Sequence, residues 1–270
     1  MLHERIFLDP AHPEVYIDTY IADNRTIAHD AMLVIPGGGY GCVCTDREGE
    51  PIALAFLGKG YNCFVLNYRV DKIPYPAQLI DASRAILHIR ENAEKYCINK
   101  NRVFAVGFSA GGHLAGSLAI LHKDAEVLSA LGVSEGENRP DAVIMSYPVV
   151  SALLPTHEGS FVNLAGGTPF SEIPMETKRK LSLEAQVDAA SAPAFIWHTS
   201  GDGLVPTNGS LALAQSYVDA KINVKMHLYP FGTHGLALAN EITAQGSQGM
   251  IHPMAEHWID EADEWLKAFI

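Results

Sequence analysis

Val103-Phe104-Ala105-Val106-Gly107-Phe108-Ser109-Ala110-Gly111-Gly112-His113-Leu114-Ala115-Gly116 runs four apolar residues into a cluster of glycines around one serine. The stretch admits three readings: a cradle for phosphate, a nucleophile turn, or a helix packed closely on a sheet. Phosphate fails on spacing. The dinucleotide fingerprint G-x-G-x-x-G places its glycines differently, and a P-loop needs Gly-Lys-Ser/Thr, which no lysine here supplies. The nucleophile reading fits, because Gly107-Phe108-Ser109-Ala110-Gly111 is G-x-S-x-G set between an apolar strand and a small-residue helix. So sharp a turn needs neighbours without bulky side chains. In return it exposes Oγ at the strand's end and offers helix N-terminal N–H groups to a developing oxyanion. Close packing is compatible with this reading, since Gly111, Gly112, Ala115 and Gly116 let the helix approach the sheet.

A serine hydroxyl needs a base to take its proton and an acid to orient that base. In strand–turn–helix nucleophile proteins the acid and then the histidine follow the serine along the chain. Asp202 lies on the turn Ser200–Pro206 after an apolar run at Ala194–Thr199, and His234 lies in Pro230–Gly235 after Val224–Tyr229. Ser109, Asp202 and His234 are therefore the candidate catalytic residues. Pro36-Gly37-Gly38-Gly39-Tyr40 closes an earlier strand, so Gly38 and Gly39 are candidate oxyanion donors, with Ala110 as partner. Tyr40, Phe108 and Val205 adjoin these motifs and are candidate substrate contacts. Among the other histidines, His198 is the rival base. It precedes the acid, and a strand position restricts its reach. His113 reads as packing or polar support, His227 as a buried or edge-facing strand residue, and His157, His252 and His257 have no motif around them.

Working outward, apolar runs alternate with helical patterns along the whole chain. Strands are expected at Val15–Ile21, Ala31–Pro36, Asn62–Tyr68, Arg102–Val106, Ala142–Tyr147, Ala194–Thr199 and Val224–Tyr229. Helices are expected at Pro51–Gly58, Pro76–Tyr96, Ser109–His122, Asn208–Ala220 and Pro253–Phe269. Such alternation implies right-handed crossovers and an α/β fold with a mostly parallel sheet of about eight strands, helices covering both faces. Sites in such sheets lie beyond the carboxyl ends of the strands, where the motifs fall. Residues 149–191 form the longest interval between strands and read as a cap or lid segment within one domain spanning 1–270.

The 270 residues are 48% hydrophobic and 19% charged, with no run of 18 apolar residues to span a membrane. Met1–Pro10 lacks a signal-peptide pattern, so a cytoplasmic location is expected. A net charge of −12 argues against nucleic acid and anionic membranes as partners, leaves a homo-oligomer possible, and makes Lys178-Arg179-Lys180 a solvated helix end. Cys42 and Cys44 are too close for zinc-ligand spacing, and no second Cys/His pair completes a site. With Cys63 and Cys97 they read as reduced structural residues, and neither metal nor cofactor is expected.

Taken together, these motifs resemble the α/β-hydrolase fold, in the branch of esterases and lipases with an H-G-G-G-type oxyanion loop. Pro36 stands where that branch commonly has histidine, and its ring cannot make that histidine's hydrogen bonds. Asn67-Tyr68-Arg69, Pro74-Tyr75-Pro76-Ala77-Gln78 with Asp81, Asn101-Arg102-Val103, Trp197-His198-Thr199 and Phe231-Gly232-x-His234-Gly235 are similar to the bacterial acetyl xylan esterase-like group. The likeness runs from about residue 31 to the C-terminus. It implies a serine esterase releasing a small acyl group such as acetate from a small-molecule ester such as an acetylated sugar. The lack of a long apolar cap between Val149 and Ser191 sets the expected range at acetyl to butyryl. The same triad also serves arylformamidases and peptidases, and a catalytically inactive ligand binder is the rival of another class. Against the peptidase stands the lack of length for a large extra domain. Against the inactive binder stands retention of all three triad residue types and the glycine loop.

Overall fold

The computed structural model describes residues 1–24 and 26–269. Eight strands form one sheet: β1 (Arg5–Phe7), β2 (Tyr16–Tyr20), β3 (His29–Ile35), β4 (Tyr61–Asn67), β5 (Ile98–Phe108), β6 (Ala142–Ser146), β7 (Ala194–Thr199) and β8 (Val224–Tyr229). Their spatial order is β1-β2-β4-β3-β5-β6-β7-β8. The run from β4 to β8 is parallel throughout, whereas β2 pairs antiparallel with both β1 and β4. Parallel pairing brings the carboxyl ends of β3, β5, β6, β7 and β8 to one edge, which gathers the loops that carry the motifs.

Side-chain alternation divides the interior into two cores. Leu33, Ala105, Val143 and Ile196 meet the helices Ala77–Glu91, Ala110–Ile120 and Asn208–Asp219 on one face. Val34, Phe104, Ile144 and Trp197 meet Glu50–Leu57 and Trp258–Phe269 on the other. There Trp197 stacks on Trp258 with ring centres 5.3 Å apart. Both faces are thus buried, as the near-continuous apolar runs require.

Two expected helices are divided. Residues 76–96 form Ala77–Glu91 and Ala93–Tyr96, divided at Asn92, whose φ of −103° and ψ of 24° leave the helix and whose Nδ2 and N–H both donate to the His88 carbonyl. The C-terminal helix breaks at His257 into Pro253–Glu256 and Trp258–Phe269. Pattern reading passed over β1, with three residues, and the helix Ala125–Leu131. The interval 149–191 contains helices at Glu158–Leu164 and Met175–Leu181. Phe161, Leu164, Leu181 and Leu183 are buried in the same core as the sheet, so this interval is packed in place.

Gly111 shows how tightly the central helix sits. A Cβ there would lie 2.2 Å from the Ile35 carbonyl oxygen and 2.4 Å from that of Pro36. Gly111→Ala should therefore cost about 3 kcal/mol, read as a lowered urea midpoint. The exposed control Gly249→Ala, whose added carbon would meet only Ser247 Oγ at 3.9 Å, should stay within about 0.5 kcal/mol of the parent.

Candidate active site

β5 ends at Phe108, and the next helix begins at Ala110, leaving Ser109 to make the turn with φ 54° and ψ −117°. Three backbone bonds hold it there. The Ser109 N–H donates to the Ser146 carbonyl at 3.0 Å, and the Ser109 carbonyl accepts from the N–H groups of His113 and Val149, each at 3.1 Å. Ser109 Oγ lies 2.8 Å from His234 Nε2, and His234 Nδ1 lies 2.6 Å from Asp202 Oδ2. An ionised carboxylate only accepts, so Nδ1 carries the proton and Nε2 is free to receive the one on Ser109. The three residues picked from the sequence thus form one hydrogen-bonded chain.

Asp202 accepts from four donors. Oδ2 also receives His198 Nε2–H at 3.1 Å, while Oδ1 takes the N–H groups of Leu204 and Val205, both at 2.9 Å. Burial opposes its charge, but hydrogen bonds from His198, His234 and the Val205 backbone outweigh that and hold the carboxyl well below the usual range. His198 is fully buried, with Nδ1 accepting from Ser210 Oγ–H at 2.8 Å, so the rival base instead braces the acid.

The glycine loop is held by partners that Pro36 does not supply. The Pro36 carbonyl accepts from the Tyr68 hydroxyl at 2.8 Å, and the Gly37 N–H donates to Glu48 Oε2 at 2.8 Å. The Gly37 carbonyl accepts from Cys44 N–H at 3.0 Å and the Gly38 carbonyl from Gly41 N–H at 3.0 Å. In a trans peptide N–H and C=O point opposite ways, so the Gly38 and Gly39 N–H groups face away from these partners. Among the described residues neither they nor the Ala110 N–H has a protein acceptor.

Sequence reasoning missed Glu48, Tyr147, Arg47, His157 and Leu204. Glu48 Oε1 accepts from the Tyr147 hydroxyl at 2.8 Å, and that oxygen in turn accepts the Ala237 N–H at 2.9 Å. The Tyr147 ring stands edge-on to His234, centres 5.1 Å apart. Burial pushes the Glu48 carboxyl above its ordinary value despite these donors. A polar run such as Thr45–Glu50 gives no signal of an interior carboxylate. Tyr147 does sit at the end of β6, where a site residue is to be sought.

The pocket over Ser109 measures about 250 Å³, with His157, Leu204, Arg47 and Cys42 among its walls. A larger hollow of about 330 Å³, beside Tyr75, Ile173 and Lys180, holds no nucleophile next to a base. The three expected substrate contacts are corrected here, because none lines the pocket and all are buried. Tyr40 turns inward, its hydroxyl donating to His113 Nδ1 at 2.8 Å. Phe108 points to the opposite sheet face, against Tyr147 and Trp258. Val205 enters the core while its backbone serves Asp202 and His198. Proximity in sequence to a motif did not place these side chains in the cleft. His113 is support, as expected: burial lowers its pKa to about 4, and as a neutral ring it donates from Nε2 to the Leu181 carbonyl at 2.8 Å. His227 is half-buried on the outermost strand, facing Glu261.

A parallel sheet with a strained serine turn and later strand ends bearing an acid and a histidine defines the α/β-hydrolase class. Within it, the BD-FAE family model matches residues 17–217, and the chain belongs to that family. It is 40% identical over 237 residues to endo-1,4-beta-xylanase B of Butyrivibrio fibrisolvens, covering 86% of this chain and 36% of that protein. It is 30% identical to the acetylxylan esterase of Xylanibacter ruminicola, covering 76% of this chain and 40% of that one. The chain thus spans well under half the length of these two relatives. The acetyl ester-xyloside bifunctional hydrolase from Caldicellulosiruptor lactoaceticus superimposes with a TM-score of 0.82 at 32% identity, covering 98% of this chain and 96% of that one.

Since folding lowers the Asp202 pKa beneath the unfolded value of 3.8, its contribution to stability is complete above that pH and is lost as pH falls through the window below. Glu48, raised by burial, works in the opposite sense above 4.5. Urea unfolding between pH 6 and 3 should therefore show the stability gap between parent and Asp202→Asn closing as pH falls. Glu48 is common to both proteins and cancels.

Proposed function

We propose that the protein is a serine carboxylesterase that removes short acyl groups, acetyl foremost, from small-molecule alcohols such as sugars. The observation that carries this reading is the Ser109–His234–Asp202 hydrogen-bonded chain, at 2.8 and 2.6 Å, opening into a pocket beside unpaired backbone N–H groups. Esterase activity in the names of its relatives supports it. In this reading residues 1–270 form one hydrolase domain, with 149–191 contributing His157 to the pocket wall rather than a second domain. A cytoplasmic, reducing setting belongs to the same proposal and agrees with four free cysteines. Among the described residues no helix is long and apolar enough to cross a membrane.

Ser109 Oγ attacks the ester carbonyl as its proton passes to His234 Nε2. Asp202, kept ionised by its four donors, stabilises the imidazolium and fixes its orientation. The Gly38, Gly39 and Ala110 N–H groups receive the oxyanion, each donor contributing about 3 kcal/mol in the transition state. His234 returns the proton to the departing alcohol. Water then enters by the same route in reverse and releases the carboxylic acid from Ser109.

Ser109→Ala should lower kcat for p-nitrophenyl acetate by about 10⁶-fold and abolish labelling by a fluorophosphonate. A parent protein that neither turns over the ester nor takes the label overturns the reading. Acyl preference follows from the size of the pocket, about 250 Å³ with His157 Cε1 only 3.5 Å from a Cβ placed on Gly39. Acetyl to butyryl p-nitrophenyl esters should exceed the dodecanoyl ester in kcat/KM, and the reverse order sinks the short-chain assignment.

A further inference from the structure

Arg47 lines the catalytic pocket together with Ser109 and His234. Its guanidinium lies against the backbone of Gly235, the residue after His234. A Cβ on Gly235 would meet Nη2 at 3.1 Å and Cζ at 3.4 Å. Arg69, Arg84, Arg90 and Arg102, half-buried like Arg47, each form an ion pair with an aspartate. Arg47 forms none, and among the described residues it makes no hydrogen bond to protein. The adjacent Glu48 favours the Arg47 charge through space but makes no ion pair or hydrogen bond with it, its oxygens bonding the Gly37 N–H and the Tyr147 hydroxyl. Arg47 thus brings to the pocket wall a planar fork of five donors, set beside Gly235, that no protein acceptor occupies.

The side of the pocket matters. His234 Nε2 must hand a proton to the departing alcohol, so the alcohol portion of the ester lies on the His234 side. Arg47 packs on that same segment. In a protein of net charge −12, a cation to which no carboxylate is directly bonded is local complementarity for an anion that the rest of the surface would repel. A guanidinium matches a carboxylate in a bidentate manner, which fixes direction as well as charge.

We propose that Arg47 is a specificity residue that binds a carboxylate on the alcohol portion of the substrate. The preferred substrates are then short-chain acyl esters of hydroxy-carboxylic acids, acylated acidic sugars among them. The inference rests on the esterase reading above and refines its substrate class. Hydrolysis itself is unchanged: the ester C–O bond breaks, the hydroxy acid departs with the His234 proton, and the acyl group passes to Ser109 and then to water.

The test compares 3- and 4-acetoxybenzoate with the matched neutral 3- and 4-acetoxybenzamide. The parent should show a higher kcat/KM for at least one benzoate than for its amide, carried by KM and weakened by added salt. Arg47→Gln should lower that benzoate-to-amide ratio at least tenfold, and Arg47→Lys should restore part of it. Amide turnover in each variant reports that the site is still assembled. A ratio that is the same in parent and Arg47→Gln for both isomers overturns the inference. Absence of turnover of all four esters by the parent instead overturns the esterase reading, so the two failures are separate.

Discussion

The backbone at Ser109 is the constraint on which the rest of the site depends. A non-glycine residue at φ 54° and ψ −117° costs on the order of 1–3 kcal/mol and persists only where the surroundings over-determine it. They do so here by packing strand and helix against the turn on the sides away from the pocket. A Cβ on Gly107 would lie 2.1 Å from the Gly111 carbonyl oxygen, so strand and helix meet at a distance only glycine allows. That approach sets the Ala110 N–H at the mouth of the helix and Oγ above the sheet edge. Because β5, β7 and β8 are parallel, Asp202 and His234 reach the same edge without any long excursion of the chain.

Two buried carboxylates then stabilise the geometry, and neither is neutralised by a contacting cation. Asp202 is held by two histidine N–H groups and two backbone N–H groups, and Glu48 by one backbone N–H and one tyrosine hydroxyl. For Asp202 these hydrogen bonds outweigh the desolvation that burial imposes, whereas for Glu48 they counter only part of it. Glu48 also resolves how a loop with proline in place of histidine stays in shape. It ties Gly37 to Tyr147, and Tyr147 in turn touches both Ala237 and the ring of His234. The oxyanion loop and the base are thereby braced by one network.

What the sequence disclosed follows from what each feature is made of. Strands β3 to β7 were legible because burial leaves largely apolar runs, and the serine, acid and histidine because each occupies a glycine-marked turn after a strand. β1 was not, since three residues with an exposed, half-buried, exposed pattern carry too little periodicity. Continuous helices over 76–96 and 253–269 were misread because an amphipathic pattern does not register a one-residue break. Tyr40, Phe108 and Val205 failed for another reason. Neighbouring residues on a strand or tight turn face opposite ways, so adjacency to Gly39 or Ser109 carries no information about the pocket, and Val205, three residues past Asp202, turns its side chain into the core. Glu48 and Arg47 were invisible because a charged residue in a polar run reads as solvated surface until its partners across the fold are known.

The packing of residues 149–191 bears on how the pocket works. His113 receives the Tyr40 hydroxyl from the oxyanion loop and donates to the Leu181 carbonyl of this segment, joining loop, central helix and covering segment through one neutral ring. Leu183 presses on Gly116, where an added Cβ would lie 2.6 Å from Leu183 Cδ1. Asn163 Nδ2 donates to the Gly39 carbonyl at 2.9 Å, and that carbonyl belongs to the peptide after the Gly39 N–H. This segment is held by buried contacts at both the helix and the glycine loop, so its packing is tied to the position of the N–H groups proposed as oxyanion donors. The pocket wall at His157 is therefore part of a preformed site. In the proposed esterase the pocket's small volume sets a steric limit on the acyl group, and selection on the alcohol side is the role proposed for Arg47.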